Sequence, residues 1–101
     1  MTVTAQPSED RSTLTIQVSG RFDFSSHQEF RKLYESAPAD VKHYVIDMTD
    51  ATYLDSSALG MLLLLRDHAG GDSADIRIVN SNPDVKKILT ISNFGQLFTL
   101  E

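Results

Sequence analysis

The chain has 101 residues, 41% of them hydrophobic and 23% charged, with no cysteine and a formal net charge of -5. That length can bury one compact core without staples, and the composition is that of a globular domain, not a disordered segment. The absent cysteines exclude a disulfide framework, a thiolate zinc site and a cysteine nucleophile. The nine Lys and Arg are scattered, so the clustered basic footprint of a direct nucleic-acid binder is missing. Mean hydropathy is -0.20, and the longest apolar run, Met61 to Leu65, falls far short of the roughly 18 residues of a membrane span. Met1 to Arg11 is polar and acidic where an export signal needs a basic segment and then an apolar one. The expected location is the cytoplasm.

Met1 to Ala5 alternates weakly and Thr13 to Val18 strongly, with Leu14, Ile16 and Val18 on one face. The two segments are expected to pair as an antiparallel hairpin around Pro7, with Gly20 closing the second strand. Ser25 or Ser26 is a candidate N-cap for a helix reaching Ser36, in which Phe30, Leu33 and Tyr34 share a face. Glu29 stands three residues after Ser26, as a capping box requires, and Pro38 ends the helix. Tyr44 to Met48 predicts a largely buried strand, Thr49 to Thr52 a polar loop, and Ser56 to His68 a helix stopped by Gly70-Gly71. Ile76 to Val79 predicts another strand. Asn80-Ser81-Asn82-Pro83 then turns into a third helix with Pro at or near its first position, carrying Val85, Ile88, Leu89 and Ile91. Asn93 to Gly95 breaks that pattern, and Leu97 to Leu100 predicts a short last strand. Strands alternating with helices imply an α/β fold with parallel pairing through right-handed crossovers. Residues 1–101 are read as one domain.

Ser56 falls where a buried strand has ended and an apolar helix begins. The first N–H groups of a helix lack intrahelical partners and carry the positive end of its dipole, which suits an anion. A phosphate on Ser56 would add about -1.5 to -2 charge units near neutral pH. Asp55 is adjacent and Asp50 is in the same loop, so the added charge would repel an acidic partner surface. The alternative is that Ser56 or Asp55 simply caps the helix, since both residue types are preferred there. The helix itself has hardly any polar face in Ala58, Leu59 and Met61 to Leu65. It is either buried on all sides or partly exposed as a docking surface.

The segment Asp55-Ser56-Ser57-Ala58-Leu59-Gly60, following a hydrophobic strand and a Thr-Tyr-Leu approach, resembles the signature of the STAS family, named for sulfate transporters and anti-sigma factor antagonists. Gly20-Arg21-Phe22-Asp23 resembles the family's Gly-x-x-Asp, and Val45 to Met48 its central strand. Asn80 to Leu89 and Ser92-Asn93-Phe94 resemble its late turn and helix, so the resemblance covers nearly the whole chain. It implies a mixed, mostly parallel sheet with an N-terminal hairpin and about three helices packed mainly on one side. For the anti-sigma factor antagonist branch it implies a domain that binds an anti-sigma factor or serine switch kinase when unphosphorylated. Such a domain releases its partner when phosphorylated and is reset by a serine phosphatase. Ser56 matches the family's phosphoacceptor, Asp23 an acidic residue beside it, and Asp55 and Ser57 its flanks. Asp23, Asp55, Ser57, Ala58 and Met61 are the expected partner-binding residues. The sequence departs from the family at Ala58, where many members have Gly, and at Glu101, where many continue into another helix.

No enzyme is expected. His27, His43 and His68 are widely spaced and form no metal-ligand pattern, so neither a metal nor a cofactor is expected. An aspartyl-phosphate receiver built on Asp47, Asp50 and Asp55 would need a longer chain and paired acidic residues after its first strand. A serine hydrolase would need an elbow such as Gly-x-Ser-x-Gly, and no phosphate-binding Gly-x-x-x-x-Gly-Lys-Ser/Thr occurs. Phe22, Phe24, Phe30, Tyr34, Tyr44, Tyr53, Phe94 and Phe98 are read as core residues. The leading expectation is a phosphorylation-controlled anti-sigma factor antagonist in a partner-switching cascade. The runner-up is an unphosphorylated accessory subunit that docks the same apolar helix on a cytoplasmic transport ATPase.

Overall fold

Two residues inserted into the third strand determine where the chain's chemistry appears. A computed structural model describes residues 3–38 and 40–101. Strands β1 (Val3–Pro7), β2 (Thr13–Phe22), β3 (His43–Leu54), β4 (Ile76–Val79) and β5 (Thr99–Leu100) form one sheet in that order. β1 runs antiparallel to β2 and every other pair is parallel. Met1 and Thr2 of the expected first strand lie outside the described residues. Helices α1 (His27–Glu35), α2 (Ser56–His68) and α3 (Pro83–Ile91) occupy the three crossovers. Because each crossover steps the same way across the sheet, right-handed connections put all three helices on one face. Alternation supplies the core beneath them. Leu14, Ile16 and Val18 of β2, Tyr44, Ile46 and Met48 of β3, and Ile76 and Ile78 of β4 are all buried. They meet Phe30 and Tyr34 of α1, Met61, Leu62 and Leu65 of α2, and Val85 and Leu89 of α3.

The expected polar loop after Met48 is a continuation of β3. Gln17 pairs with Asp47 but Ser19 with Asp50, and Gly20 with Ala51 but Arg21 with Tyr53. β3 therefore inserts one residue at each of two bulges, and Gly20, at φ 71°, supplies the matching kink in β2. The bulges change which residues face inward. Burial passes from Met48 to Ala51 and Leu54, while Thr49, Asp50 and Thr52 face solvent. A sequence without period-two alternation is thus held in a strand by its neighbour.

Local signals explain most helix ends. Asn82 accepts from the Val85 N–H at 2.8 Å, ahead of Pro83 at the start of α3. Gly70, at φ 118°, follows the last turn of α2. The capping box expected at Ser26 does not form. Phe24–Ser26 is a short 3-10 turn capped by Asp23, and Ser26 is buried and makes no side-chain cap bond to α1. Three apolar expectations also change. Ile91 is exposed at the end of α3, and Phe24 and Tyr53 leave the core for the surface. The last strand is only Thr99–Leu100, because Phe94–Gln96 forms a 3-10 turn after Asn93 at φ 60°.

Candidate functional site

Phe22 of β2 and Leu54 of β3 are paired, buried and the last residues of their strands. The two bulges bring those ends level, so the residues that follow, Asp23 and Asp55, emerge side by side at the carboxyl edge of the sheet. Each caps the helical turn that follows it and accepts from the serine hydroxyl two residues on, Asp23 before a 3-10 turn and Asp55 before α2. The Asp23 carboxylate accepts from the Ser25 N–H at 3.0 Å and the Ser25 hydroxyl at 2.5 Å. Asp55 accepts from the Ala58 N–H at 2.9 Å and the Ser57 hydroxyl at 2.6 Å. Asp55 is thereby the N-cap of α2.

That arrangement bears out the capping role for Asp55, not for Ser56. Capping belongs to Asp55, with Ser57 as its support, and Ser56 is the first helical residue, exposed to solvent. Its hydroxyl has no hydrogen-bond partner among the described residues. Ser56 also shares an outward face of α2 with Gly60, Leu63, Leu64 and Asp67, because these positions repeat at helical spacing. Leu63 and Leu64 are 39% and 50% exposed, so α2 is not covered on all sides.

Two carboxylates in close proximity repel each other, and here fixed donors hold both ionised. The Ser57 hydroxyl and then the Ala58 N–H draw the Asp55 carboxyl below its ordinary value. The Ser25 hydroxyl and then its N–H do the same for Asp23, against the opposing effects of partial burial and the Asp55 charge. Arg21 adds a cation. Its guanidinium lies 4.5 Å from the centre of the Tyr53 ring and 3.7 Å from the Asp23 carboxylate. It also favours ionisation of Asp55.

The rim of the site is apolar. Phe24, 66% exposed, stacks on His27 at 4.9 Å between ring centres. His27, Arg31, Met61 and Leu64 line a shallow crevice between α1 and α2. Of the expected partner-binding residues, Asp23, Asp55 and Ser57 gather around Ser56. Ala58 and Met61 do not face outward. Ala58 is fully buried under the first turn of α2, and Met61 reaches the surface only as part of the crevice floor. The apolar side chains exposed nearby are those of Phe24, Leu63 and Leu64. Arg21 and Tyr53 were invisible as site residues because only the β2–β3 register brings them together. Among the described residues no group of three or more His, Asp or Glu is arranged to hold a metal ion. No helix among them is long and apolar enough to cross a membrane.

Residues 5–100 match the family model described as "Mlab, STAS domain". The chain is 60% identical to a STAS-domain containing protein of Pseudomonas aeruginosa, over 99% of both chains. Its fold is similar to that of the anti-sigma factor antagonist SpoIIAA in its unphosphorylated form, with a TM-score of 0.81 at 19% identity, covering 98% of this chain and 87% of that one. It is likewise similar to the Bacillus cell fate determinant SpoIIAA in its phosphorylated form, with a TM-score of 0.69 at 17% identity, covering 98% and 90%. With a family match that runs from β1 to β5 and the Asp-Ser-Ser turn at the carboxyl edge of its sheet, this chain belongs to the STAS family.

Proposed function

We propose that this protein is a phosphorylation-controlled anti-sigma factor antagonist of the cytoplasm, a binding protein without catalysis of its own. It engages an anti-sigma factor or a serine switch kinase while Ser56 is free. The observation that carries the reading is the exposure of the Ser56 hydroxyl at the first position of α2, with the capping role already taken by Asp55. A kinase reaching Ser56 therefore has no hydrogen bond from its hydroxyl to a described residue to break. Around it, Phe24, Leu63 and Leu64 offer an apolar rim for a partner, and Asp23, Asp55 and Ser57 set the local field. A phosphate adds about -1.5 to -2 charges beside two carboxylates that are already ionised. An apolar or acidic partner surface must then desolvate or repel that charge, and binding weakens without refolding. A serine phosphatase restores the binding state.

Incubation with the cognate kinase and ATP should add one phosphate, absent in Ser56→Ala. Transfer to another residue in the wild-type chain rejects the site. The same apolar rim also suits a constitutive accessory subunit docked on a cytoplasmic transport ATPase. Affinity capture followed by mass spectrometry separates the two readings. Recovery of transport ATPase subunits, with Ser56→Asp binding as well as wild type, selects the subunit role.

A further inference from the structure

Arg21 is a cation beside Asp23, its charge acts on Asp55, the residue before Ser56, and its guanidinium donates no hydrogen bond to any described residue. It occupies an outward position on β2 directly across from Tyr53 of β3. At 3.7 Å its contact with Asp23 is an ion pair longer than a hydrogen bond, and its side chain is 65% exposed. Only one oxygen of each nearby carboxylate is committed elsewhere, and Asp23 Oδ2 is the atom that faces Arg21. Asp23 Oδ1 serves Ser25, and Asp55 Oδ1 serves Ser57 and Ala58. What holds the guanidinium in place is the face of the Tyr53 ring, 4.5 Å away, which leaves its N–H fork free. Such a fork matches the oxygens of a phosphate monoester and binds them in pairs.

We infer that Arg21 is the internal receptor for the phosphate on Ser56: it leaves its place over Tyr53 and Asp23 and clamps the phosphoryl oxygens. The inference rests on the reading of Ser56 as phosphoacceptor and adds a second consequence of the modification. A phosphate placed beside Asp23 and Asp55 alone would meet only like charge, apart from the dipole of α2. Arg21 offsets that repulsion and makes the phosphorylated form a defined state. Its movement also uncovers the Tyr53 ring, so the partner-facing surface changes in shape as well as in charge. Arg21 acts as a positioning residue, and no bond is made or broken in the clamp.

The test uses full-length protein with phosphoserine genetically encoded at position 56, so that it does not depend on finding the kinase. Phosphorus NMR reads the second ionisation of the phosphate in this protein and in its Arg21→Gln and Arg21→Lys variants. Loss of the cation should raise that pKa by about half a unit or more, as expected for one close, exposed ion pair. Lys, a point charge without the fork, should restore part of the shift. The same pKa in Arg21→Gln as in the Arg21 protein overturns the inference while leaving Ser56 phosphorylation intact. A merely structural role for Arg21 would alter the melting temperature of the unphosphorylated protein and leave the phosphate pKa unmoved. Failure of the kinase to modify Ser56 would instead remove the proposed function and leave the clamp measurement standing.

Discussion

Gly60 stands in the interior of α2 with no steric demand for glycine among the described residues. Its backbone is ordinary helix, and a Cβ built there meets no heavy atom within 4 Å. Glycine in a helix interior costs about 0.8–1.0 kcal/mol relative to alanine. With no steric term to offset that gain, Gly60→Ala should stabilise the domain by roughly 0.5–1 kcal/mol, raising its Tm by about 2–8 °C. The same methyl group stands on the outward face shared by Ser56, Leu63 and Leu64, where a partner must come closest. Partner binding should therefore weaken as stability rises. Thermal melts and urea titrations read the first effect, with a higher midpoint and an unchanged slope. Titration of the partner reads the second. A Tm that stays level or falls refutes the open geometry at Gly60. A raised Tm with unaltered affinity refutes Gly60 as the point of close approach.

Replacing Asp55 by Ala removes the cap of α2 and the acceptor for Ser57, and should lower Tm by about 4–8 °C, whereas Asn, which keeps an acceptor, should recover most of the loss. Leu62, fully buried, should cost about 2–5 kcal/mol on truncation to Ala. Leu64→Ala, at a half-exposed position, should cost under about 1 kcal/mol in folding and be felt in partner affinity, and urea denaturation beside partner titration separates the two. The acid side of the stability profile follows from four carboxylates. Asp10 is held down at about 2, chiefly by the Ser8 hydroxyl with the Ser12 N–H and hydroxyl. Asp23, Asp47 and Asp55 are lowered by the hydroxyls of Ser25, Thr49 and Ser57. A carboxyl depressed in the folded state contributes stability that is complete above its unfolded value and is lost as pH falls toward its folded one. Tm should be level from pH 7 to about 5 and fall steadily toward pH 2. A Tm that rises on acidification contradicts the assignment.

Elements set by local chemistry were legible in the sequence. The Ser56 to His68 helix, the Gly70 stop, Pro83 at the head of α3 and the antiparallel hairpin each rest on a few neighbouring residues, and the structure bears them out. What the sequence concealed depends on contacts between distant segments. Thr49 to Thr52 lacks a strand's alternation and becomes strand only because β2 runs alongside through two bulges. Those bulges turn Tyr53 outward. At Ser26 the capping-box spacing is present, but the preceding Asp23 takes the cap and closes a 3-10 turn first. The site divides in the same way. Asp55, Ser56 and Ser57 are contiguous in the signature, whereas the pairing of Arg21 with Tyr53 depends on a register that no local pattern encodes.

A phosphate on Ser56 should control partner binding. The most direct test compares the affinity of one preparation for its anti-sigma factor or switch kinase before and after stoichiometric phosphorylation of Ser56. Phosphorylation should cost at least tenfold in affinity, about 1.4 kcal/mol, with the melting temperature of the domain nearly unchanged and full recovery after phosphatase treatment. Equal affinity in the two forms would contradict it.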